Sequence, residues 1–168
     1  MRILGIDPGL RNTGWGIIES QGSTLRLIDC GCIQPPTDYT MSDRLAHLYT
    51  ELAQIVQAHE LDAAAIEETF VNKNPKSTLK LGAARGVAMM TPASLGLPVA
   101  EYAANSVKKS VVGVGHAKKE QVMDMVHRLL PGIKIKSEDT ADALAVAICH
   151  AHHAHLNKQL AAAMKESA

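Results

Sequence analysis

A chain of 168 residues with 17 basic and 17 acidic side chains has no net charge before histidine is counted, and 46% of it is hydrophobic. That length suits one well-cored domain and leaves no room for two large ones; neutrality excludes a protein that binds polyanions through bulk charge alone. No apolar run approaches the ~20 residues that cross a bilayer, and no basic stretch followed by an apolar one opens the chain, so a cytoplasmic protein with no membrane partner is expected.

Residues 2–8, 13–20 and 24–33 are short apolar or alternating runs broken at Pro8-Gly9 and Gln21-Gly22, the pattern of a three-stranded meander. Cys30 and Cys32 alternate within the third run, and with Cys149 they make an odd set without metal-ligand spacing, read as reduced core thiols. From Met41 to Glu60, Leu45, Leu48, Leu52, Ile55 and Val56 recur at helical spacing, with Ser42 and Asp43 as candidate caps. DAAAIEETF (62–70) reads as a buried strand ending in acids. A polar loop follows, then a helix over 78–96 with Ser77 as its cap, ended by Pro92 and Gly96. Gly82 and Gly86 share a face of that helix, where another backbone could come close. LPVAEYA (97–103) reads as a strand, residues 105–130 as two helices around a glycine turn, and 136–155 as a last helix capped by Ser137 or Asp139. A meander followed by alternating helix and strand implies a mixed sheet with helices on both faces. A right-handed crossover then sets the 62–70 strand parallel to the first, which brings Asp7 towards Glu67.

Charge is unevenly spread. Lys73, Lys76, Lys80, Arg85, Lys108, Lys109, Lys118 and Lys119 fall between residues 72 and 119 with a single acid, Glu101. Such a stretch is either a set of solvated faces or a local phosphate footprint. Among the acids, Asp7 before Pro-Gly could be a turn residue and Asp139 a cap. Asp142 runs straight into DALAVAI, beside a buried stripe where a lone carboxylate is costly. Carboxylates converging from both strands and the last helix are hard ligands of the kind that hold Mg²⁺, and two such ions activate water in phosphodiester cleavage.

The motifs ILGIDPGLRNTGWGII (3–18), AIEETF (65–70), KNPKSTLKLGAARGVA (73–88), VKKSVVGVGHAKKEQV (107–122) and DTADALAVAI (139–148) together resemble the RuvC family of bacterial Holliday-junction resolvases, over roughly residues 2–150 in unbroken order. The resemblance implies an α/β, RNase H-like (retroviral-integrase superfamily) fold: a five-stranded mixed sheet flanked by helices, with residues 1–157 as the nuclease domain and 158–168 as a frayed tail. It implies that Asp7, Glu67, Asp139 and Asp142 bind Mg²⁺, two ions per subunit with Mn²⁺ as a substitute, and that Lys108 and Lys119 support the scissile phosphate. Phe70 would stack on a base near the crossover, and Lys73, Lys76, Lys80, Arg85, Lys109 and Lys118 would contact DNA backbone. Glu68 and Glu138 fall outside the motif positions. Leu10 and Trp15 depart from the residues common in the family, without touching a carboxylate.

The implied activity is symmetric paired nicking of four-way junctions in homologous recombination and DNA repair, by a homodimer that works with the RuvA and RuvB branch-migration complex. The helix carrying Gly82, Gly86, Met89 and Met90 is a candidate dimer surface, burial in the sheet being the alternative. Three rival readings stand beside this one. The DxGxxxTGxG opening also resembles the phosphate loop of the actin, Hsp70 and sugar-kinase superfamily, which needs two domains around its nucleotide. A non-enzymatic junction-binding module gains nothing from clustered acids. An RNA-cleaving sibling of the same fold would not call for AIEETF with Phe70. In CHAHHAH (149–155), His150, His152, His153 and His155 read as a polar face rather than a zinc site, because no second motif accompanies them.

Overall fold

The computed structural model describes the chain except residues 69–73, 133, 134, 136, 167 and 168, with only the backbone described over 158–166. Strands β1 (Arg2–Asp7), β2 (Thr13–Gln21) and β3 (Thr24–Ile33) form the meander. Helix α1 (Met41–Ala58) leads to β4 (Ala63–Glu67), α2 (Pro75–Ser94) to β5 (Val99–Tyr102), and α3 (Ala104–Val112), α4 (Lys119–Leu129) and α5 (Glu138–Glu166) complete the chain. The sheet order is β3-β2-β1-β4-β5, with β1 antiparallel to β2 and parallel to β4. This is the expected five-stranded mixed sheet.

Its two faces carry separate cores. Leu4, Ile6, Ala64 and Ile66 pack with α1 and α2, whereas Ile3 and Ala65 pack with α3, α4 and α5. Side chains alternate along a strand, so positions 3, 5 and 7 of β1 and positions 65 and 67 of β4 share the α5 face. Helix α5 lies unusually close to that face. A Cβ on Gly5 would fall 2.1 Å from the Ala143 carbonyl oxygen, and one on Gly14 would fall 1.9 Å from the Asp139 carbonyl oxygen. Register places Gly5 opposite Gly16 and Asp7 opposite Gly14, forming a side-chain-free track in which the first turns of α5 sit.

Element ends differ from the sequence reading in several places. The Thr40 hydroxyl, rather than Ser42 or Asp43, accepts the Asp43 amide at the start of α1. Helix α2 begins earlier than expected because Asn74 accepts the amides of Lys76 and Ser77 at 3.0 and 3.4 Å and Pro75 is preset for a first helical turn, which leaves Ser77 inside. Pro92 lies within the last turn of α2 instead of ending it, and Gly96 beyond adopts φ +87°. Of the two candidate caps for α5, Ser137 serves: its hydroxyl accepts the Thr140 amide at 3.2 Å. The backbone of α5 then continues as one helix past residue 157. None of Cys30, Cys32 and Cys149 is joined in a disulfide.

Candidate active site

Asp7 closes β1 and Glu67 closes β4, one residue beyond the paired Ile6 and Ile66. Both therefore project at the rim of the α5 face, where they line a cleft of about 260 Å³ with Asp142, Lys108 and Lys119. Its apolar wall comes from Ala104, Val107, Val122 and Ala145, residues that the sequence does not single out although they lie close along their helices to the cleft lysines and Asp142.

The acids disturb one another. Burial, followed by the charges of Glu67, Asp142 and Asp139, pushes the Asp7 carboxyl up to about 8, against an opposing pull from Lys119. Burial and then the Asp142 charge raise Glu67 as well, against the pull of Lys108 and Lys119. Asp142 is raised by burial in spite of Lys119. The Lys119 ammonium donates to Asp142 Oδ2 at 3.3 Å and lies 3.6 Å from Glu138 Oε2, and the Asp142 charge raises its own pKa first of all. Glu138 thus has an ion-pair partner at the rim, while Glu68 is exposed with its amide bonded to the Tyr102 carbonyl at 2.9 Å.

Asp139 stands one helical turn before Asp142 and faces a neighbouring groove, acting on the cleft through its charge. Among the described residues, no three His, Cys, Asp or Glu side chains are drawn together into a finished metal cage. The Lys119 ammonium offsets part of the crowded negative charge. This donor set, all carboxylate oxygen and mutually repelling, fits a hard divalent cation that would take over that role.

The other candidates separate. Lys108 reaches the cleft, while Lys109 lies on the adjoining face of α3 beside His152 and His153. Lys76, Lys80 and Lys118 are exposed. Arg85 is paired with Glu101, tying α2 to β5. Phe70 and Lys73 lie outside the described residues. His150 Nδ1 bonds the Tyr102 hydroxyl at 2.9 Å and His153 stacks on the Tyr102 ring at 5.2 Å, contacts that suit a structural face.

The profile of the family described as crossover junction endodeoxyribonuclease RuvC matches residues 3–150. The chain belongs to the RuvC family. A RuvC from Xanthobacter autotrophicus is 58% identical over 153 residues, covering 91% of this chain and 90% of that protein. One from Paramagnetospirillum magneticum is 56% identical over 164 residues, covering 98% and 99%. The solved structure of T. thermophilus RuvC in complex with Holliday junction substrate superposes with a TM-score of 0.87 at 30% identity, over 94% of this chain and 96% of that one. The yeast mitochondrial Holliday junction resolvase Ydc2, at 16% identity and TM-score 0.67, shares the fold. RuvC-family nucleases are metal-dependent.

Proposed function

We propose that this chain is a Mg²⁺-dependent, structure-selective endonuclease that resolves Holliday junctions by symmetric paired nicks in homologous recombination and DNA repair. The observation that carries this reading is the meeting of Asp7, Glu67 and Asp142 with Lys108 and Lys119 in one cleft. Asp7, Glu67, Asp139 and Asp142 would hold the metal, two Mg²⁺ per subunit with Mn²⁺ as a substitute; when bound, these ions supply an activated water and stabilise the leaving oxygen. The parallel pairing of β1 with β4 fixes the two carboxyls relative to each other. Lys108 and Lys119 offer ammonium groups to the non-bridging oxygens of the scissile phosphate. Val107 and Val122 keep one side of the cleft apolar, which strengthens each of these charge interactions.

Phe70 would stack on a base at the crossover, and Lys73, Lys76, Lys109 and Lys118 would meet backbone phosphates. Arg85 would do so only by leaving Glu101. The working unit is a homodimer acting in the cytoplasm with the RuvA and RuvB branch-migration complex. The face of α2 that exposes Leu79, Gly82, Gly86 and Met90 supports its use as the dimer surface. The test is cleavage of a synthetic four-way junction with Mg²⁺ by the wild type, Asp7→Asn and Glu67→Gln. Symmetric nicks by the wild type and binding without cutting by both variants are expected. Equal cleavage by all three would sink the mechanism.

A further inference from the structure

The histidine run of α5 takes no part in the chemistry of the cleft, yet its side chains reach the strand that flanks Glu67. Tyr102, the last residue of β5, is the meeting point. Its hydroxyl and His150 Nδ1 lie 2.9 Å apart, the His150 ring meets its ring edge-on at 5.8 Å, and His153 stacks on it at 5.2 Å with the planes 26° apart. His152, between them, bonds Ser110 of α3 at 3.2 Å.

Glu67 depends on the residue so held. The ladder between β1 and β4 ends at Ile6 and Ile66, one position short of the acid. At Glu67 the strand is paired through β5: Glu67 stands in register with Tyr102, and the Glu68 amide donates to the Tyr102 carbonyl at 2.9 Å. Strand β5 is itself a four-residue strand at the edge of the sheet, and two side-chain ties hold it, one on each face. Glu101 pairs with Arg85 of α2, and Tyr102, alternating to the opposite face, meets α5. The partners of Tyr102 thus belong to the helix that carries Asp142. His153 follows Asp142 by about three turns, which sets the two on nearly the same stripe of that helix. A chain of contacts therefore runs from Asp142 along α5 to His153, across to Tyr102 and back to Glu67. Just beyond Tyr102 the chain turns into α3, whose Lys108 lines the same cleft.

We propose that His150 and His153 are positioning residues that act through Tyr102: they fix the end of β5, and with it the placing of Glu67 against Asp142. The proposal rests on the metal-dependent reading above and adds which side chains hold two repelling carboxylates, carried on separate elements, in place for a cation. Supporting contacts outside the ligands themselves are worth about 10–100-fold in metal affinity.

The test is titration of the metal-free protein with Mn²⁺, followed by the electron paramagnetic resonance signal of the free ion, with hydrogen exchange at the Glu68 amide as a readout that needs no metal. Tyr102→Leu and the double change His150→Ala/His153→Ala should each weaken Mn²⁺ binding about tenfold and speed exchange at Glu68. Tyr102→Phe, which keeps the stacked ring and loses the hydroxyl, should fall between these and the wild type. His150→Asn, which returns a polar nitrogen near the position of Nδ1, should bind more tightly than His150→Ala. Val56→Ala, a truncation in the core on the opposite face of the sheet, controls for lost stability and should bind Mn²⁺ as the wild type does. Affinities equal to the wild type in the Tyr102 and histidine variants, or losses no larger than that of Val56→Ala, would overturn the proposal. Cleavage of a four-way junction by the wild type separates the two levels. A wild type that shows the expected spread of affinities but cuts no junction removes the nuclease reading and keeps the positioning role; cutting with equal affinities removes the positioning role alone; a wild type that takes up no Mn²⁺ overturns both.

Discussion

Helices α5 and α2 lie on opposite faces of the same sheet, and glycine does contrary work at each. Under α5 the glycines belong to the strands, Gly5, Gly14 and Gly16, and the helix fills the space they leave: Ala143 through Cys149 are almost wholly buried. On α2 the glycines belong to the helix, and a Cβ at Gly82 or Gly86 would meet nothing within 4 Å. Leu79 and Met90 on that helix are 75% and 53% exposed. The first arrangement brings a backbone close enough to set Asp142 in the cleft of the strand-end acids, with Asp139 at the adjoining groove. The second leaves a face that nothing among the described residues covers.

Disturbing the first arrangement should have the largest effect. Gly5→Ala sets a methyl group against the Ala143 carbonyl and Gly14→Ala against the Asp139 carbonyl, both backbone atoms in a fully packed layer. Overpacking costs about 1–3 kcal/mol where side chains can yield; here the helix itself must move, so a destabilisation of at least about 3 kcal/mol is expected in urea melts. Gly14→Ala should additionally abolish junction cleavage under conditions where it is still folded, because α5 carries Asp139. Melting curves that match the wild type would show that the close approach is not a constraint.

The next effect comes from the acids gathered where α5 meets the strand ends. Asp7 has a folded-state pKa of about 8 against an ordinary 3.8, so folding takes up a proton between those limits. Its contribution to stability is intact below pH 3.8 and declines as pH rises through about 8, by at most roughly 1.4 kcal/mol per pH unit. Asp7→Asn removes this slope, and the metal-free variant should be more stable than the wild type at pH 8, with the difference shrinking as pH falls. A divalent cation competes with the same proton and should raise the wild-type melting temperature more than that of Asp7→Asn. Parallel pH profiles for the two proteins would refute the burial argument.

Much of this was legible in the sequence for identifiable reasons. Strand period two and the crossover rule set Asp7 beside Glu67, and the apolar run after Asp142 fixed the buried face of α5. Less legible was whatever depends on distant partners. The closeness of α5 rests on Gly5, Gly14 and Gly16, whose role depends on a helix more than a hundred residues away in the chain. Arg85, one cation among eight in its stretch, turned out to face Glu101 sixteen residues away. Arg11 and Arg44 belong to different local segments and share a groove only once the sheet is formed. The caps of α1 and α2 were missed because several Ser, Thr, Asp and Asn residues compete near each helix start, and geometry alone decides which side chain reaches the free amides.

The smallest effect falls on the open face of α2. Leu79→Glu/Met90→Glu removes two exposed apolar side chains that contribute little to the fold of one chain, so the melting temperature at micromolar concentration should change only through weakened association, which sedimentation reads directly. Gly86→Ala is the finer probe. Replacing an interior helix glycine whose added Cβ meets no neighbour should stabilise a single chain by about 0.5–1 kcal/mol, or roughly 2–4 °C per kcal/mol for a domain of this size. If a second copy packs its backbone against Gly86, the same methyl group weakens the dimer. The gain should then appear at low protein concentration and shrink or reverse as concentration rises. A gain independent of concentration would mean that α2 faces solvent at this position, and the contrast with the glycine track beneath α5 would be one of exposure alone.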